Sequence, residues 1–85
     1  MTKQQQTTAN MKLLEKLTEY LAENPQEDTE KGRESSYVLF SSQNDELNVM
    51  NERLLRALIN EGDKVIKAEE TKDKTIPWKF TPISA

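Results

Sequence analysis

The sequence predicts a small, mainly α-helical domain, and an α+β domain is the alternative. Two segments, about 10–24 and 44–61, repeat their apolar residues with the 3.6-residue period of a helix. One short run, 37–41, carries the aromatic and β-branched side chains that favour a strand. The length of 85 residues allows a single domain. We therefore expect the two helices to pack against each other as a hairpin.

The first predicted helix covers about 10–24. Its apolar side chains fall within about 120° of the helix circumference, and they are Leu13, Leu14, Leu17, Tyr20 and Leu21. A residue that precedes proline disfavours helical backbone, so Asn24 is expected to end the helix before Pro25. Residues 1–9 are polar and lack helical periodicity, and we expect them to form a flexible arm.

The middle of the chain predicts a loop and then a short strand. Residues 25–36 contain no large apolar side chain, so a polar loop is expected there. A strand at 37–41 needs a partner, which could be the preceding loop, the C-terminal tail or a second copy of the chain. The competing interpretation makes this run the first turn of the next helix.

The second predicted helix covers about 44–61, with Ser42 or Asn44 at its start and Gly62 as its stop. One face of this helix is apolar and carries Leu47, Met50, Leu54, Leu55 and Leu58, whereas Val49, Arg53 and Arg56 lie on the opposite side.

Beyond the second helix, charges alternate, and acid-before-base pairs four residues apart favour a short third helix at 63–73. The pairs are Asp63 with Lys67 and Glu70 with Lys74. We expect one small helical domain at 10–66. A charged segment and a tail with proline and tryptophan follow at 67–85.

Composition excludes several kinds of function. The chain has no Cys and no His, so it lacks thiolate nucleophiles, the usual general base near neutral pH and the commonest metal ligand. There is no glycine-rich phosphate loop, and no apolar run approaches the roughly 20 residues that span a bilayer. We expect a cytoplasmic protein that is not an enzyme and binds no cofactor or metal. It is also expected to bind no small-molecule substrate and no membrane.

The expected function is binding of another protein, or of a second copy of the chain, as a regulator, inhibitor or assembly accessory. Only 18 of the 85 residues are Leu, Ile, Val or Phe, a shortage that favours folding around a partner. In the tail, Trp78 and Phe80 either complete the core or dock into the partner. The candidate partner-binding residues are Trp78, Phe80, Ile76, Leu54, Leu58, Arg53 and Arg56.

The alternative function is nucleic-acid binding through Arg53, Arg56 and the C-terminal lysines, with the tail aromatics stacking on bases. Against this, residues 63–85 hold five Lys and four acids, and the sequence pI is about 5.0. Small chains without Cys or His that are rich in Gln, Asn, Thr and Lys are also typical of phage and plasmid accessory proteins. No motif of a named family is present.

Overall fold

The fold is α+β, not a helical hairpin. The computed structural model describes residues 1–83, and only the backbone of residues 30 and 31. The elements in chain order are helix α1 (Lys3–Glu23), a 3-10 turn (Pro25–Glu27), the short helix α2 (Glu30–Arg33), strand β1 (Ser36–Phe40), helix α3 (Asp45–Asn60), strand β2 (Val65–Glu70) and strand β3 (Trp78–Ile83).

The three strands form one mixed sheet in the order β1-β2-β3. Helix α3 connects β1 to the parallel strand β2, and the next connection returns as the antiparallel strand β3. The strand predicted at 37–41 corresponds to β1. It pairs with β2, which is none of the three partners named from the sequence, whereas the C-terminal tail pairs with the other side of β2.

The third helix predicted at 63–73 is wrong, because this segment contains the central strand of the sheet. Side-chain pairs at i,i+4 contribute only a few tenths of a kcal/mol each to a helix. In the strand, Val65 and Ile66 are buried, Ala68 is fully enclosed, and the backbone is paired along both edges. Burial and two ladders of hydrogen bonds therefore outweigh the local charge pattern.

The predicted hairpin is wrong because the buried apolar residues of the two helices pack mainly against the sheet, whereas Leu14 and Leu54 are left exposed. Alternation along the strands separates two sets of side chains on opposite faces. The cluster nearer α1 contains Leu13, Leu17, Leu39, Leu47, Ala68 and Trp78. The cluster nearer the end of α3 contains Val38, Phe40, Leu55 and Val65. Helix α3 contributes to both clusters because Leu47, in its first turn, reaches the α1 side.

Helix α1 begins at Lys3, seven residues before the predicted start at residue 10. Thr2 and Gln5 form a capping box: the Thr2 hydroxyl accepts from the Gln5 amide at 3.1 Å, and the Gln5 side chain accepts from the Thr2 amide at 2.8 Å. The T-x-x-Q pattern of this box is visible in the sequence. The extra turns bring Gln6 and Asn10 to α3, where both donate to Asn51.

Candidate functional site

An open groove runs along the outer side of α3, and we call it the outer α3 groove. Its volume is about 660 Å³, and its lining residues are Phe40, Asp45, Asn48, Val49, Glu52, Arg53 and Arg56. Phe40 ends β1, and the four-residue connection to α3 turns the chain back so that successive turns of the helix pass beside that ring. The groove is therefore a direct product of the β1–α3 connection.

The groove has an apolar floor. Val49 is 55% exposed, although it lies beside the almost fully buried Phe40. The Lys67 ammonium lies 4.8 Å from the centre of the Phe40 ring, within the range of a cation–π contact. The groove thus places one exposed apolar side chain and one buried ring within a rim of charged groups.

Two arginines stand on the rim of the groove. Arg56 Nε lies 3.3 Å from Glu52 Oε1, one helical turn earlier; the Arg56 side chain is largely exposed and that of Glu52 partly exposed. Such a pair is weak and screened by salt. Arg53 makes no ion pair with any residue among those described, so its charge is available to an incoming carboxylate.

The residues singled out from the sequence are dispersed over the molecule. Arg53 and Arg56 lie in the outer α3 groove, whereas Leu54 is 42% exposed on another side of α3, next to α1. Leu58 is half-buried against the α3-side core cluster. Ile76 is 58% exposed in the loop between β2 and β3.

The two tail aromatics belong to the fold. Trp78 is 4% exposed within the α1-side core cluster. Phe80 is half-buried on the same face, with its ring centre 6.4 Å from that of Tyr20 and 6.3 Å from that of Tyr37. Of the two roles considered for the tail, completion of the core therefore describes Trp78.

The sequence analysis named Arg53 and Arg56 as candidate binding residues and placed Val49 on the same side of the helix, but it did not include Val49 in the candidate site. The signal was their spacing of four and then three residues, which puts an apolar side chain in line with two cations. The missing information was the position of Phe40, which only the β1–α3 connection supplies.

A second, larger depression of about 860 Å³ lies where β1 and β2 end, between α1 and the start of α3. Within it, the Glu70 carboxylate accepts hydrogen bonds of 3.1 Å from the Ser42 amide and hydroxyl and one of 3.3 Å from Lys16 Nζ. Partial burial acts to raise the pKa of Glu70, but these donors outweigh it and hold the pKa below its ordinary value. An ionised carboxylate that already accepts three hydrogen bonds is a poor proton acceptor. Here it links β2 to α1 and to the β1–α3 connection.

Three of the basic side chains named for nucleic-acid binding, those of Arg56, Lys67 and Lys79, lie beside acids. Lys67 Nζ is 3.8 Å from Glu69 Oε1, and Lys79 is paired with Glu69 across the β2–β3 register. Arg56 lies beside Glu52, so these three cations do not form the continuous basic surface that is typical of nucleic-acid binding.

Within residues 1–83, His, Cys, Asp and Glu side chains form no group of three or more that could hold a metal ion. In the same part of the chain, no helix is long and apolar enough to cross a membrane. Comparisons of the chain with models of protein families, with curated proteins and with solved structures give no match.

Proposed function

We propose that this chain is a non-catalytic protein-binding protein that acts as a regulator, inhibitor or assembly accessory through the outer α3 groove. The observation that carries the proposal is the exposure of Val49 beside the Phe40 ring, with Arg53 and Arg56 at the rim. In a chain with only 18 large aliphatic and Phe residues, four are largely exposed, namely Leu14, Val49, Leu54 and Ile76, and Val49 lines this groove.

The groove fits a partner segment that presents one apolar side chain and a nearby carboxylate. The apolar side chain would cover Val49 and the edge of Phe40, and the carboxylate would pair with Arg53. The planar guanidinium of Arg53 can hold a carboxylate with two parallel hydrogen bonds. Covering an exposed Val and the surface that receives it contributes about 1–3 kcal/mol, the range of an interface hot spot.

The first step of the test identifies the partner by position. A photoreactive amino acid replaces Val49 in one version of the chain and Leu14 in the other, and both are expressed in the cells that produce the protein. Leu14 is 49% exposed on α1, outside the groove, and so provides a matched control. A protein that crosslinks at residue 49 but not at residue 14 is then purified.

The second step measures affinity with the purified partner. We expect Val49→Asp to weaken binding by about 30-fold or more, which corresponds to about 2 kcal/mol. Arg53→Glu should weaken it by about 10-fold, and Leu14→Asp should change it by less than about 2-fold. Equal losses for the two Asp variants, or no loss for either, would contradict the proposal. Capture of DNA or RNA, with affinity that falls steeply with salt, would support the nucleic-acid alternative instead.

A further inference from the structure

The outer edge of β3 presents unpaired backbone groups in a defined order. The Thr71 amide donates to the Pro77 carbonyl at 2.8 Å, which fixes the phase of the antiparallel ladder between β2 and β3. Because hydrogen-bonded and non-hydrogen-bonded pairs alternate, residues 79, 81 and 83 turn their backbone groups towards β2. Residues 78, 80 and 82 turn theirs outward. Pro82, which has no N–H, sits in an outward position, where β2 needs no donor.

At the opposite edge of the sheet, along β1, side chains of α3 hydrogen bond to the outward backbone groups. There the Asn51 side chain donates to the Leu39 carbonyl at 2.7 Å. The Asn48 side chain accepts from the Ser41 amide at 2.7 Å and donates to the Ser41 carbonyl at 2.8 Å. Helix α3 thus blocks this edge, and no residue in the described part of the chain hydrogen bonds to the outward groups of β3.

We propose that the β3 edge is an interface with a second copy of this chain. The two β3 strands pair antiparallel about a two-fold axis that passes between the two Phe80 residues. Phe80 N–H then donates to the carbonyl of Phe80 of the partner subunit, and Trp78 N–H donates to the carbonyl of Pro82 of the partner subunit. Each bond is repeated by the symmetry, so every outward N–H of the two strands finds an acceptor, and a continuous six-stranded sheet results.

Charge selects this register over its neighbour. Here Lys79 lies opposite Thr81 of the partner subunit, on the sheet face away from α1. A shift of the pairing by two residues would form as many hydrogen bonds, but it would set Lys79 directly opposite Lys79 of the partner subunit. Like charges in directly opposed positions destabilise a sheet. Lys79 therefore disfavours the shifted register, but it does not prevent another strand from pairing with the β3 edge.

Single cysteines test the register directly, because the natural chain has no Cys. Lys79→Cys and Thr81→Cys are prepared separately, and each is oxidised alone and in an equal mixture. In the proposed register, a cysteine at 79 faces one at 81 across about 4.5 Å between Cα atoms, within disulfide range. Equivalent positions lie about 7–8 Å apart, so in this register two chains of the same variant are poorly placed to crosslink.

The chains present in the disulfide-linked dimers identify the register of the two β3 strands. A disulfide dimer that forms predominantly in the mixture, and that contains one chain of each variant, supports the proposal. Lys79→Cys also removes the charge that disfavours the first shifted register, so the readout is the chain composition of the dimers in the mixture. Dimers that contain only Lys79→Cys chains would mean the register shifted one way, and dimers that contain only Thr81→Cys chains the register shifted the other way. Either result would overturn the proposed register, and monomeric protein in all three samples would overturn the interface.

Two further variants test the interface without a crosslink. Thr81→Glu introduces a carboxylate opposite Lys79 of the partner subunit, whereas Thr81→Lys introduces a like charge at the same place. Sedimentation velocity over a range of protein concentrations should show the dimer dissociation constant lowered by about 2- to 10-fold for Thr81→Glu and raised by a similar factor for Thr81→Lys. Circular dichroism at low concentration checks that the monomer remains folded. Thr81 also lies opposite Lys67 within its own chain, so the dissociation constants are compared for variants that this check shows to be folded. Identical dissociation constants for the two variants would contradict the proposal.

Discussion

The Asn51 side chain donates a hydrogen bond of 2.7 Å to the backbone carbonyl of Leu39. Asn51 is fully buried, and it also accepts from Gln6 and exchanges hydrogen bonds with Asn10. One amide group therefore joins α1, α3 and the outer edge of β1. Buried polar groups that are fully satisfied specify a single arrangement of the elements around them.

Replacement of Asn51 should destabilise the fold more than its small size suggests. Asn51→Ala removes a side chain and leaves the Leu39 carbonyl and the Gln6 and Asn10 amides without partners. We expect the free energy of unfolding in urea to fall by about 2–4 kcal/mol. Asn60→Ala, an exposed change in the last turn of the same helix, should alter it by less than about 0.5 kcal/mol. Similar values for the two variants would contradict the buried network.

Ala68 marks where the central strand meets the layer formed by α1. It is fully enclosed in the α1-side core cluster, so a larger side chain has no room. Ala68→Leu is expected to lower the free energy of unfolding by about 1–3 kcal/mol. Ala57→Leu makes the same change at an exposed position on α3 and should be nearly neutral. Thermal or urea denaturation compares them, and a neutral Ala68→Leu would count against the position of β2.

The ionised Glu70 should contribute stability that depends on pH. Its pKa in the folded protein lies below the ordinary value of 4.5, so at acidic pH the unfolded chain binds more protons than the folded one. Stability therefore rises with pH through this range and is lost as the pH falls through 4.5 and below. We expect Glu70→Gln to be less stable than the natural chain by about 1–3 kcal/mol at pH 7.

That difference should shrink as urea denaturation is repeated at successively lower pH, down to about pH 3. The control is Glu15→Gln, an exposed change on α1, for which the difference from the natural chain should stay close to zero throughout. A Glu70→Gln deficit that is independent of pH would show that its carboxylate charge does not contribute in the way the hydrogen bonds indicate.

Trp78 is the single tryptophan of the chain, so its fluorescence reports whether the tail is packed in the core. Its side chain is 4% exposed, so we expect its fluorescence in the folded protein to be blue-shifted and poorly quenched by iodide. On addition of urea, the shift to longer wavelength should coincide with the loss of helix measured by circular dichroism. Emission that matches the unfolded chain from the start would mean that the tail is free.

The sequence allowed the two long helices and the short strand to be located, because their apolar residues recur at the period of each element. The cap signals near Asn44 and Gly62 also lie where α3 begins and ends: the Asn44 side chain accepts from the Leu47 amide, and Gly62 has a φ of 85°. Such signals are local, and so the chain itself displays them.

The sheet could not be read in the same way. The strand status of Val65–Glu70 depends on Ser36–Phe40 and Trp78–Ile83, neither of which is its sequence neighbour. Its alternating charges even favoured a helix locally. The outer α3 groove depends in turn on where the β1–α3 connection places Phe40, and the role of Asn51 depends on contacts more than 40 residues away in sequence.

Amide hydrogen exchange, resolved residue by residue by NMR at low protein concentration, tests the central claim that residues 65–83 complete a sheet. Along β2, every amide from Val65 to Glu70 should be protected, because the strand is paired on both sides. Along β3, the amides of Lys79 and Thr81 should be protected, whereas that of Phe80 should exchange quickly, since it points away from β2 and the residue is only half-buried. Rapid exchange at every position, or carbon chemical shifts of a helix over 63–73, would contradict the fold and the interface built on it.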